Sequence, residues 1–142
     1  MRNSHWPVPA LVTRSIGVLA AGSGCGALSW FAVHVVSGSF EPYDSSTGLL
    51  ANQLVLGLPA MLLACKPRLA LLLVYFLGAW LGMNAYAYVF GGSEQRAWAM
   101  LGAVTSLVLF FWPVVLAVVT VAIRCIWSRW HAGHGLHSQR GK

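Results

Sequence analysis

Four apolar runs, separated by short polar breaks, dominate the chain. They are SIGVLAAGSGCGALSWFAVHVV (15–36), LLANQLVLGLPAMLLAC (49–65), LALLLVYFLGAWLGMNAYAYVF (69–90) and AWAMLGAVTSLVLFFWPVVLAVVTVAI (97–123). A membrane-crossing helix needs about 20 mainly apolar residues, with a range of about 17 to 25. The first and third runs fit that length. The second is short and recruits Thr47 and Gly48, and the fourth is long enough to tilt or to enter the interface. The expected fold is therefore an all-α integral membrane protein with four transmembrane helices over about 15–36, 48–65, 69–90 and 94–123. An antiparallel up-down bundle with short loops is predicted, flanked by an N-terminal segment 1–14 and a basic, histidine-containing tail 124–142.

The breaks carry ordinary turn chemistry. Lys66-Pro67-Arg68 and Gly91-Gly92-Ser93 are too short for anything but neighbouring antiparallel helices. Ser93 is the expected cap of the fourth helix, with Glu94 in its first turn. The stretch SGSFEPYDSSTG (37–48) is longer. Gly38 and Pro42 stop a helix there, and Asp44, Ser45 or Ser46 can cap the next. Pro59 and Pro113 fall inside helices, where each removes a donor and frees a carbonyl one turn back, at Val55 and Leu109. In the first run the small residues Gly22 to Gly26 sit mid-run and apolar sequence resumes beyond them, which favours a retained helix over a cleaved signal.

In lipid, helices associate through close packing over small residues. Gly22 and Gly26 mark such a face on the first helix, beside Gly17, Ala21, Cys25 and Ser29 at four-residue spacing. Gly78 and Gly82 mark one on the third, and Gly102 with Ala99, Ala103 and Ser106 one on the fourth. The third and fourth patches predict a hairpin closed tightly near Glu94. A homodimer through one of these faces is the alternative.

Composition sharpens the class. Of 142 residues, 58% are hydrophobic and 8% charged, too few charges to clothe a water-facing globule. Arg2, Arg14, Lys66, Arg68, Arg124, Arg129, Arg140 and Lys142 all fall on one side of the predicted spans, and Arg96 alone on the other. Glu41, Asp44 and Glu94, the chain's three acids, share that other side. Positive-inside logic places both termini in the cytoplasm and the acidic loops outside, as in a bacterial inner membrane. The net charge of +6 is too scattered for a nucleic-acid face, so the bilayer is the expected partner. Cys25, Cys65 and Cys125 are too far apart for a CxxC or zinc motif.

Candidate chemistry is sparse. No charged residue lies deep in a run, which disfavours a carrier that works through a buried carboxylate. His34, Asn52, Gln53 and Asn84, with Thr105 and Ser106, fall at one depth near the outer ends, below Glu41, Asp44 and Glu94. They outline a polar mouth for a cation, a small solute or a partner segment. The competing expectation is that they bond neighbouring helices. His131, His134 and His137 in the tail form a weak metal candidate, because Gly133 and Gly135 work against a preformed geometry. No nucleophile elbow, HExxH motif, paired helical carboxylates or phosphate-cradling loop is present, and no cofactor is implied. By elimination the expected role is non-enzymatic: an accessory, assembly or protective protein in contact with another membrane protein. The alternative is an oligomeric small-solute or ion transporter or channel. Reporter fusions after Lys66 and at the C-terminus are expected to read cytoplasmic and one at Ser45 periplasmic; a reversal at any of the three sites refutes this orientation.

Overall fold

The computed structural model describes the backbone of residues 8–137 and the side chains of residues 11–130. Among its described residues helices are joined by turns and short loops with no strand, and four helical stretches are long and apolar enough to cross a membrane. The first is α1 (Val8–Ser37), which starts well ahead of the expected residue 15. A 3-10 turn (Pro42–Asp44) leads to α2 (Ser46–Ala64), and α3 (Leu69–Phe90) follows. The fourth stretch is interrupted. It comprises α4 (Ser93–Ala97), α5 (Ala99–Thr105), a 3-10 segment (Ser106–Phe110) and α6 (Phe111–His137). The helix running on to His137 departs from the expected end near residue 123; Gly133 and Gly135 do not break it.

Local chemistry accounts for the joints. Gly38 adopts a left-handed φ of 69° and its N–H bonds the carbonyl of His34 at 3.0 Å, closing α1 with a residue that carries no Cβ penalty. Ser45 caps α2 by accepting from the Gly48 N–H at 3.3 Å. At the fourth stretch the cap differs from expectation: Gly92 is the cap residue, its N–H bonds Gln95 Oε1 at 3.0 Å, and Ser93 is already inside the helix. At the opposite end of the bundle Arg124 donates to the carbonyl of Ala64 at 2.9 Å and also to that of Lys66. A basic residue that reads in the sequence as a topology signal thus also closes the negative end of α2.

The most extensive helix pair is α1 with α3, and its seam is made of glycine. A Cβ built on Gly22 would collide with the carbonyl oxygen of Tyr75, and one on Gly26 with that of Ala79. Reciprocally, Gly78 lies against the carbonyl of Leu19 and Gly82 against that of Ser23. Each contact recurs four residues later on both helices, so α1 and α3 run parallel with one register. The glycine Cα atoms thus stand close to carbonyls of the opposite helix, an approach that gains dispersion and favours weak Cα–H···O contacts.

Gly78 and Gly82 were expected to serve a hairpin with the fourth helix. They serve α1 instead, and Gly102 has open space where a partner was expected. α3 meets the fourth stretch mainly through α4, α5 and the 3-10 segment, while α6 lies on α2. Leu56, Ala79, Met83 and Leu109 fill the centre, joined by Ala60, Ala64, Tyr75 and Ala117 toward the Arg124 end. Substituting Gly82→Val is expected to cost more than about 2 kcal/mol, because the collision is with backbone and cannot be relieved by a rotamer. Gly24→Ala, with nothing within 4 Å of the added methyl, is expected to be neutral. Unfolding titrations in mixed micelles, followed by helical circular dichroism, measure both.

Candidate functional site

The interrupted fourth stretch is where polar groups gather. Pro113 has no N–H, so the carbonyl of Leu109 loses its helical donor, and the 3-10 segment before it shifts the bonding of neighbouring carbonyls. Three side chains from other parts of the chain supply donors. Gln53 Nε2 bonds the Leu109 carbonyl at 3.0 Å, Trp80 Nε1 that of Ala103 at 3.0 Å, and the Tyr43 hydroxyl that of Thr105 at 2.7 Å. Irregular backbone at membrane depth is tolerated only where such partners exist.

Gln53 also begins a chain of side-chain bonds across the bundle. Its Nε2 reaches Asn52 Oδ1 at 3.4 Å, Asn52 Nδ2 donates to Ser29 Oγ at 3.0 Å, and Ser29 donates to the Gly26 carbonyl at 2.8 Å. Asn52 and Ser29 are fully buried. Asn84 makes a second link, from α3 to the fourth stretch, donating to Ser106 Oγ at 3.2 Å and to the Trp80 carbonyl at 2.8 Å. These are the interhelical bonds that the sequence allowed as an alternative to a mouth.

Beside this network, at the same end of the bundle, a cleft of about 610 Å³ opens between the 38–45 loop, the end of α3 and the α4–α5 pair. Glu41, Asp44 and Glu94 all line it, with Asn84. Of the nine polar residues expected at the mouth, these four and Thr105 meet there. Asn52 and Gln53 turn into the helix interfaces, and His34 faces outward from α1. Depth relative to the spans grouped all nine; the facing angle, which depth does not carry, separated them.

The aromatic wall was the part that sequence reading under-weighted. Trp30, Phe40, Tyr43, Tyr88 and Trp98 line the cleft. Trp30 is 7% exposed and sits edge-on to Phe40 with ring centroids 6.2 Å apart. Phe40 stacks in turn on Tyr86 at 6.5 Å, and Pro42 is buried, so the 38–45 loop is pinned to the bundle by its apolar residues. The signal for this lay in SGSFEPYDSSTG itself, where Phe40, Pro42 and Tyr43 alternate with the acids. Among the described residues no basic side chain lines the cleft; Arg96 instead donates to the Gly91 carbonyl at 3.2 Å.

Other predicted candidates resolve differently. The side chains of His131, His134 and His137 lie outside the described residues. Among the described residues no group of three His, Cys, Asp or Glu side chains is close enough to hold a metal ion. Cys25, Cys65 and Cys125 are free thiols.

Fold and site together define a multipass α-helical membrane protein with an acidic, aromatic-walled cleft at one end of its bundle. Compared with known protein families, curated proteins and solved structures, the chain matches none. Substituting Gln53→Leu is expected to leave the Leu109 carbonyl without its donor and to cost about 1 kcal/mol, the scale of an interhelical hydrogen bond in a membrane protein. The mixed-micelle unfolding titration checks it, and an unchanged midpoint would show that the bond contributes nothing.

Proposed function

We propose that this chain is a non-enzymatic accessory protein of a bacterial inner membrane, acting through lateral contact with another membrane protein. The observation that carries the proposal is the filled interior. Val33, Leu56, Tyr75, Met83 and Leu109 are each at most 2% exposed, and the buried Tyr75 hydroxyl is satisfied by the Leu56 carbonyl at 2.9 Å. A single copy whose centre is packed in this way offers its surface to other molecules rather than a route across the bilayer. On that surface α1 presents Gly17, Ala21 and Gly24 outward, with open space beside both glycines, on a different side from the Gly22–Gly26 seam. Another transmembrane helix can approach closely over such a strip.

The orientation adopted has both termini in the cytoplasm. Its support is the one-sided placement of the basic residues, together with the parallel run of α1 and α3, which an alternating path through the membrane requires. In this orientation the acidic cleft faces the periplasm.

A second reading follows from the same outward strip on α1. Two copies could meet there, and an oligomer could enclose a pathway for an ion or small solute that one copy does not. The two separate experimentally. Gly24→Leu is expected to leave the isolated protein's stability unchanged and to reduce several-fold the recovery of one larger membrane protein co-purified from native membranes in mild detergent. A homodimer as the sole cross-linked species, with solute flux in liposomes, would replace the accessory reading by the transport one.

A further inference from the structure

We propose that the cleft binds an amphiphilic organic monocation: an amine or quaternary ammonium on an apolar or aromatic body, with an oxygen acceptor near the charge. The inference goes beyond the accessory reading and stands without it, since it concerns the isolated chain.

Three independent features of the cleft converge on that chemistry. The first is charge. A chain of net charge +6 places all three of its acids, Glu41, Asp44 and Glu94, on one cleft, and among the described residues no lysine or arginine joins them there. A cation entering the cleft therefore meets carboxylates on its walls and no competing positive side chain among the described residues. The second is the wall. Aromatic rings attract a cation over their faces, most strongly when it is partly desolvated, and they also accept an apolar body. A hydrated inorganic ion would use neither property. The carboxylates, moreover, do not form a metal-holding group among the described residues. The third is an unmet donor. Trp30 lines the cleft at 7% exposure, and its buried Nε1–H has no hydrogen-bond acceptor. A buried donor without a partner is costly, so a ligand oxygen placed against it gains more than the same bond would in water.

Size agrees. About 610 Å³ lies within the range of small-molecule sites, roughly 300 to 1,000 Å³, and is far more than a bare ion needs. The rigidity of the site follows from the fold. Tyr43 is tied to the Thr105 carbonyl at 2.7 Å and Phe40 packs between Trp30 and Tyr86, so the carboxylates of the 38–45 loop are held against the bundle before a ligand arrives. Preorganisation of this kind lowers the ordering cost of binding.

Benzoylcholine carries the three required parts: a quaternary ammonium, an aryl body and an ester carbonyl. Isothermal calorimetry with the full-length protein in a non-ionic detergent is expected to show saturable binding. Its uncharged isostere, 3,3-dimethylbutyl benzoate, is expected to bind at least about tenfold more weakly, the difference of one good charge interaction. The triple substitution E41Q/D44N/E94Q is expected to weaken benzoylcholine by at least the same factor. Trp30→Phe, which keeps a ring and removes the N–H, is expected to weaken benzoylcholine more than it weakens 3-phenylpropyltrimethylammonium, which has no carbonyl. Absence of saturable binding to the unaltered protein, or an isostere that binds within a factor of about two of the cation, overturns the proposal. Because the isostere comparison uses the unaltered chain, it decides the matter even if the triple variant fails to fold. Because no partner protein is present, its outcome is separate from that of the co-purification that tests the accessory reading.

Discussion

Everything else in this bundle is arranged around the contact of α1 with α3 at four glycines. Lipid supplies no hydrophobic force to push one apolar helix against another, so the gain must come from packing. Packing is densest where backbones touch, and Gly22, Gly26, Gly78 and Gly82 each bring a Cα against a carbonyl of the opposite helix. Four contacts in one register fix the separation, the direction and the rotation of two helices at once. They also decide which face of α1 is left over: the side bearing Gly17 and Gly24 remains outward because the seam has taken the other.

The fourth stretch is held by a different principle. Pro113 removes the helical donor of the Leu109 carbonyl and the 3-10 segment shifts the bonding of the carbonyls beside it, and a carbonyl left bare in an apolar setting is costly. Gln53, Trp80 and Tyr43 answer from α2, α3 and the 38–45 loop. The irregularity thereby becomes a set of tethers. It binds three otherwise separate parts of the chain to one segment, and the cleft is the space left beside the tethered elements, between the loop, the end of α3 and α4–α5. Glu41 and Asp44 reach it from the 38–45 loop and Glu94 from the first turn of α4.

Some of this was legible residue by residue. The freed carbonyl of Leu109 followed from Pro113 alone, since a missing N–H is a covalent fact. What Gln53 would do about it did not, because a side chain's partner depends on how α2 is rotated. Gly78 and Gly82 were readable as a packing face, but not as the partner of α1; short links suggested the fourth helix, and steric fit chose a helix more distant in sequence. Trp30 shows the same limit. Nothing along the chain pairs it with the 37–48 stretch, and only the fold of Phe40 back against it made it part of a buried wall.

By itself the sequence determined the four spans, the breaks between them and the one-sided distribution of charge, because length, hydropathy, proline, glycine and charge act locally and do not depend on neighbours. It also determined that Glu41, Asp44 and Glu94 would share one end. The tertiary structure alone decided which glycines meet, which polar residues turn inward, and that the three acids face a common aromatic-walled space. Those are matters of helix rotation and pairing, set by how two surfaces fit in three dimensions, and no periodicity along one chain encodes the fit of another against it.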